Sequence, residues 1–175
     1  MMPIPITRYV VILTMLSAAM SVSAEQTDFD PLGFLVGSWE GNEEGVPGTG
    51  HGERSYELIM DETYLLAKNT STFPPQQKNP DGEVHRDWQF FSYDRTAKKL
   101  ALRQFHSEGF VIEYVLEKSS PQEIVFVSKS IENFTGRARY TLRLNDDDHF
   151  EEVFEVSEGD GPLEVMVHNQ WSRVP

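Results

Sequence analysis

Apolar and polar residues alternate with a period of two along most of this chain. In residues 137–144, for example, Ala138, Tyr140 and Leu142 are apolar and their neighbours are mostly polar. The same pattern runs through residues 55–60, 64–73, 84–93, 100–106, 110–118, 123–130, 149–157 and 163–173. A period of two places successive side chains on opposite faces of a β-strand, and only residues 29–34 suggest a short helical turn. The sequence therefore predicts an all-β fold.

The links between these segments are short and carry turn-forming residues. Clusters of Gly, Asn, Asp, Ser or Pro occupy residues 79–82, 107–109, 145–148 and 158–161. Short links favour an up-and-down antiparallel meander, and about ten strands can close into a barrel with interior space to spare. A two-sheet sandwich is the alternative. It usually needs long connections between its sheets, and residues 74–83 are the only long link between the predicted strands. We expect one barrel domain over residues 25–175.

The first 24 residues have the pattern of a signal peptide. Arg8 supplies a positive charge, residues 9–20 are apolar, and Val22-Ser23-Ala24 offers small residues at a cleavage site. The apolar run is too short to span about 30 Å of hydrocarbon, which argues against an anchoring helix. We therefore expect a mature chain that begins near Glu25 and is periplasmic or secreted, with no membrane insertion after cleavage.

The composition narrows the choice of partners. The 175 residues include no Cys, which excludes disulfides and thiolate chemistry, and their formal net charge is −13. A surface this acidic repels nucleic acid and anionic lipid, whereas it is compatible with a cationic ligand or a basic partner. We expect a small-molecule ligand and no nucleic acid, and the chain could be a monomer or a homodimer.

Inward-facing side chains of several strands are candidates for a ligand pocket. The alternation assigns to the interior Arg86, Trp88, Phe90, Tyr114, Tyr140, Glu152 and Asn169. An aromatic interior with scattered polar groups is typical of ligand pockets, although the rings could equally fill the core.

Glu152 is the sharpest candidate of this set. It shares a face with Phe150 and Phe154, and a carboxylate buried there needs a partner or must become neutral. Arg86 has the parity to be that partner. A one-residue shift of register would instead turn Glu152 to solvent.

Three stretches of the chain resemble a known family. Gly37-Ser38-Trp39-Glu40-Gly41, residues 136–144 and the closing Trp171-Ser172-Arg173-Val174 resemble the DUF1579-type, lipocalin-like (calycin) family of bacterial proteins. The resemblance implies a ten-stranded calycin barrel with no established activity. It also implies that Trp39 lies at a closed end of the barrel, covered by the guanidinium of Arg173.

The opening run is also distantly similar to that of the nitrobindin-like haem-binding barrels. Those barrels bind haem iron through a His near the carboxy terminus, for which His168 is the candidate here. The alternation turns His168 outward, and Glu43 stands where that group's run has a glycine. We therefore expect no cofactor, with haem as the exception that this second resemblance would imply.

No catalytic or metal-binding motif appears in the sequence. The five histidines are too far apart to form a local ligand pair, and the acidic run at 146–148 is typical of a solvated hairpin tip. The primary hypothesis is an exported binding protein for a small hydrophobic or amphipathic ligand. The alternative is a calycin-type isomerase or lyase that uses an inward carboxylate, Arg or Tyr.

Overall fold

The computed structural model describes residues 29–175, so the predicted signal peptide lies outside the described residues. A short 3₁₀ helix, Asp30–Leu35, precedes ten strands. The strands are β1 (Gly37–Gly45), β2 (Gly48–Ile59), β3 (Tyr64–Phe73), β4 (Glu83–Asp94), β5 (Lys99–His106), β6 (Val111–Ser119), β7 (Glu123–Ile131), β8 (Gly136–Asp146), β9 (His149–Glu158) and β10 (Glu164–Arg173).

The ten strands form one closed barrel. Each strand pairs antiparallel with the next along the chain, and β1 closes the barrel by pairing with β10. In that closing pair Trp39 lies opposite Arg173 and Gly45 opposite Val167. The predicted all-β, up-and-down calycin-like barrel is confirmed, and the sandwich alternative is wrong. Closure leaves no strand edge of the barrel unpaired, which removes a template for aggregation.

Glycines in β1 and β2 make room for a large ring at the centre of the barrel. A Cβ atom on Gly41 would lie 2.9 Å from the indole of Trp171, and one on Gly52 would lie 2.5 Å from the same indole. Both distances are too short for a side chain. In these strands glycines stand at inward positions where apolar side chains would otherwise alternate. The period-two signal of β1 and β2 is therefore weak in the sequence.

One end of the barrel is filled with side chains. Leu32 and Leu35 of the 3₁₀ helix belong to the same buried cluster as Trp39, and Trp39 Nε1 donates a hydrogen bond of 2.7 Å to the Leu35 carbonyl. The Arg173 guanidinium lies 4.2 Å from the centre of the Trp39 ring. It also donates to the Val36 carbonyl at 2.9 Å. The predicted closed end, with Arg173 over Trp39, is confirmed.

Within residues 29–175, no helix has the length and apolar character needed to cross a membrane.

Candidate functional site

A cavity of about 610 Å³ occupies the half of the barrel away from Trp39. Its wall is mainly apolar and consists of Val46, Pro47, Phe73, Phe110, Ile112, Ile131, Phe134, Phe154, Val156, Met166 and Val167. Polar groups from the strands form its floor. The size and the apolar lining are those of small-molecule sites, which measure roughly 300–1,000 Å³.

A buried ion pair lies at the centre of the floor. Glu152 is 3 % exposed and Arg54 is 5 % exposed. The guanidinium contacts both carboxylate oxygens, with Nη2 donating to Oε1 at 3.2 Å and Nη1 donating to Oε2. Arg54 also donates to the Asn69 amide oxygen at 3.0 Å and to the Tyr140 hydroxyl at 3.0 Å. Trp171 packs under the same guanidinium, 4.4 Å from it.

The inward position predicted for Glu152 is confirmed, but its predicted partner is wrong. Arg86 lies on the outer face of β4, exposed to solvent, and the partner is Arg54 of β2 instead. Arg54 shares its strand face with Tyr56, which is buried. The two-residue spacing from Tyr56 would place Arg54 on the inner face, but the glycines and charges around it in β2 weaken the alternation that would show this.

A second carboxylate, Asp87, organises the adjacent part of the floor. It accepts hydrogen bonds from Asn69 at 2.9 Å, from Gln89 at 3.1 Å and from Gln104 at 3.0 Å. Burial alone would raise the pKa of Asp87, but its contact with His85 and the charge of Arg54 outweigh burial, so this pKa lies well below its ordinary range. Asp87 therefore stays ionised inside the barrel.

This network explains why the predicted face of β4 is wrong. Arg86, Trp88 and Phe90 lie on the outer side, with Trp88 52 % exposed. The inward residues are His85, Asp87, Gln89 and Phe91. Apolar residues stand at both 90 and 91, so either parity fits the pattern, and the buried hydrogen bonds of Asp87 decide the choice.

The other predicted site residues lie inside the barrel. Tyr140, Glu152 and Asn169 line the cavity. Tyr114 is buried away from the cavity and donates to Gln104 at 3.2 Å. Whether any of them binds a ligand stays a prediction.

Two floor groups retain unused hydrogen-bonding capacity. Asn169 donates to Glu152 at 3.0 Å, but within residues 29–175 its own buried Oδ1 atom has no hydrogen-bond partner. Glu43 is 1 % exposed, and Ser71, which donates at 2.9 Å, is its one hydrogen-bond partner in the described part of the chain. Burial raises the pKa of Glu43 to about 7, although the charge of Arg54 opposes the shift. An acceptor and a carboxyl that titrates near neutrality thus face the same space.

The Glu43→Gln variant should remove a pH dependence of stability. Because the folded pKa of Glu43 is raised from 4.5 to about 7, the folded state holds the proton more tightly than the unfolded state. The resulting stability is full below the unfolded pKa and is lost as the pH rises through the folded pKa. Relative to the variant, the wild-type protein should lose up to about 3 kcal/mol between about pH 4 and pH 8. Urea denaturation across that range measures the difference, and a constant difference would contradict the assignment.

Three residues that the sequence separates meet at the rim of the cavity. His85 Nδ1 lies 2.7 Å from a Glu108 carboxylate oxygen, and His85 Nε2 lies 3.4 Å from His106 Nδ1. Burial lowers the pKa of His106 to about 4. Burial also opposes protonation of His85, but its contacts with Asp87 and Glu108 outweigh burial and raise this pKa to about 9. The two shifts have opposite directions because the carboxylates in contact with His85 outweigh its burial, whereas the charges near His106 do not.

His168 lies on the outer face of the barrel, as the alternation predicts. Its side chain is exposed, and its Nε2 atom lies 3.6 Å from the Glu151 carboxylate. A haem group inside the barrel could not use this ring as its iron ligand.

Comparisons with known proteins support the fold. No protein-family model and no curated protein sequence matches the chain. The crystal structure of Rv2717c from M. tuberculosis is similar at a TM-score of 0.62 and 14 % identity, covering 86 % of this chain and 99 % of the other. A de novo designed fluorescence-activating β-barrel has a TM-score of 0.42 and 15 % identity over 85 % of this chain and all of the design. At these identities the Rv2717c structure is evidence for the barrel fold alone.

Proposed function

We propose that this protein binds a small amphipathic molecule inside the barrel. The observation that carries the proposal is the cavity of about 610 Å³, with an apolar wall and a buried polar floor. A barrel core that served only stability would be filled with side chains, as it is around Trp39. The open half instead has the size and lining that enclose a ligand.

The floor favours a ligand whose polar end donates hydrogen bonds. Asn169 Oδ1 lacks a partner within residues 29–175, and Glu43 has spare accepting capacity. Arg54 is already engaged by Glu152, Asn69 and Tyr140, so it offers little to an incoming anion. A hydroxyl or an amine therefore suits this floor, and the acidic chain favours a neutral or cationic molecule over an anion.

The fluorescent probe N-phenylnaphthylamine, an apolar molecule with one N–H donor, tests the proposal. Its emission should rise saturably with the wild-type protein because the cavity excludes water from the probe. The Val167→Trp variant should abolish the rise, since Val167 lines the cavity and an indole there occupies the space. The control variant Val165→Trp places the same ring at an exposed position of β10 and should leave the rise unchanged.

Thermal melts of both variants check that the barrel still folds. A wild-type protein that gives no saturable rise would overturn the proposal. So would a folded Val167→Trp variant that binds the probe as tightly as the wild-type protein does.

A calycin-type isomerase or lyase is the second candidate function. The observation that favours it is the buried Glu43, whose pKa of about 7 suits a group that accepts and returns a proton near neutral pH. In this candidate the Arg54–Glu152 pair would orient the substrate and Glu43 would transfer the proton. An acid–base enzyme would lose turnover in Glu43→Gln while still binding its substrate, whereas a carrier has no turnover to lose.

The family and the compartment are part of the same proposal. The Gly37–Gly41 run, residues 136–144 and the Trp171–Val174 ending support membership of the DUF1579-type lipocalin-like family. The pattern of residues 1–24 supports export to the periplasm or the exterior.

A further inference from the structure

His85, His106 and Glu108 form a compact cluster on adjacent elements at the cavity rim. His85 lies on β4, His106 ends β5, and Glu108 lies in the tight turn that follows. That turn is held by the Gly109 amide, which donates to the His106 carbonyl at 2.9 Å. Each of the three side chains offers one ligand atom, and these atoms all lie within 4.8 Å of one another.

We propose that His85, His106 and Glu108 bind one divalent transition-metal ion, such as Zn²⁺, at the mouth of the cavity. His85 Nε2 and His106 Nδ1 are 3.4 Å apart. Two imidazole nitrogens bound to one tetrahedral Zn²⁺ at about 2.0–2.1 Å lie about 3.4 Å from each other. The two rings therefore already stand at the spacing that the ion requires.

The surroundings favour a cation at this position. Glu108 is half-exposed and lies in a turn, so its carboxylate can move from His85 to the ion. Asp87 adds a second negative charge, with its Oδ2 atom 3.6 Å from His85 Nε2. The His106 ring is held by stacking on Phe110, with the ring centres 4.2 Å apart and the planes at 13°. A fixed ring loses little freedom when it binds a metal, which favours affinity.

The chemistry of the donors indicates the class of metal. Two imidazole nitrogens and a carboxylate suit Zn²⁺, Co²⁺, Ni²⁺ or Fe²⁺ better than Mg²⁺ or Ca²⁺, which prefer oxygen ligands. Three protein ligands leave at least one coordination position open. Because all three residues line the cavity, that position would be available to water or to the polar group of a cavity ligand.

Calorimetric titration of the tag-free protein with ZnCl₂ near neutral pH tests the site. We expect one equivalent to bind, and the affinity should fall about 100-fold in His106→Ala and at least about 10-fold in Glu108→Gln. His149→Ala is the matched control, because His149 also contacts a carboxylate, that of Asp146 at 2.7 Å, but on the exposed surface. That variant should bind Zn²⁺ as the wild-type protein does. The chain has no Cys, so thiolates cannot contribute to the signal.

Circular dichroism confirms the fold of each variant, and the half-exposed position of Glu108 makes Glu108→Gln a safe second test. Absence of Zn²⁺ binding by the wild-type protein would overturn the proposal. Weak binding of several ions, unchanged in both His106→Ala and Glu108→Gln, would overturn it as well. The two proposals are tested separately, because the probe fluorescence of the Val167→Trp and Val165→Trp variants is measured without metal and the Zn²⁺ titration without probe.

Discussion

Arg54→Met is expected to destabilise the protein by about 3–5 kcal/mol, because it leaves a buried carboxylate without its partner. Glu152 would keep Tyr140 and Asn169 as hydrogen-bond donors but would lose the Arg54 guanidinium that contacts it. Met fills a similar volume without charge, so the loss comes mainly from the unpaired ion. Urea denaturation at neutral pH measures the change in the free energy of unfolding.

The double variant Arg54→Met/Glu152→Gln separates the charge from the packing. Removing both charges should restore part of the lost stability, since neither side of the pair is then left buried and ionised. Arg103→Met is the matched control, because Arg103 pairs with Glu113 on the exposed surface and should cost at most about 1 kcal/mol. If Arg54→Met proved no more damaging than Arg103→Met, the buried pair would not have the role assigned to it.

Trp39→Ala should be as damaging as Arg54→Met, lowering the free energy of unfolding by about 3–5 kcal/mol. The indole is 1 % exposed, packs edge-on against Phe150 at 4.7 Å and donates to the Leu35 carbonyl. This end of the barrel is packed with side chains, so removing the indole leaves a cavity there.

Arg173→Ala removes the guanidinium that stacks on that ring, together with its hydrogen bonds to backbone carbonyls. The stacked guanidinium contributes about 0.5–2 kcal/mol, and the Val36 and Asp147 carbonyls that accept its hydrogen bonds are exposed, so water can replace it there. Chemical denaturation of Trp39→Ala and Arg173→Ala should therefore give clearly different midpoints. Equal and small losses would contradict the closed-end assignment.

The barrel was predictable because strand periodicity and turn chemistry are local signals. The predicted strand at residues 64–73 coincides with β3, and the bounds of β5 and β9 differ from the prediction by one residue at one end. β1 and β2 were the weakest part, because glycines that accommodate Trp171 replace the apolar residues that would show the alternation.

The site was only partly predictable, for reasons that differ from residue to residue. Glu152 followed from the parity of Phe150 and Phe154 on its own strand. Arg54 did not follow, because a partner 98 residues away in sequence is set by barrel closure rather than by any local pattern.

The cluster of His85, His106 and Glu108 was not predictable for the same reason. His85 and His106 are 21 residues apart and become neighbours only through the pairing of β4 with β5. The predicted face of β4 was also wrong, and it placed His85 on the outside of the barrel.

The location of the bound probe tests the central claim most directly. In a titration of ¹⁵N-labelled protein with N-phenylnaphthylamine, we predict that amide shifts concentrate on Phe110, Val156 and Val167, which line the cavity. Amides near Trp39, at the closed end, should stay unchanged. Shifts confined to the amides of Trp88 and Phe105, whose rings are exposed on the outer face, or no saturable shifts at all, would contradict a ligand-binding barrel.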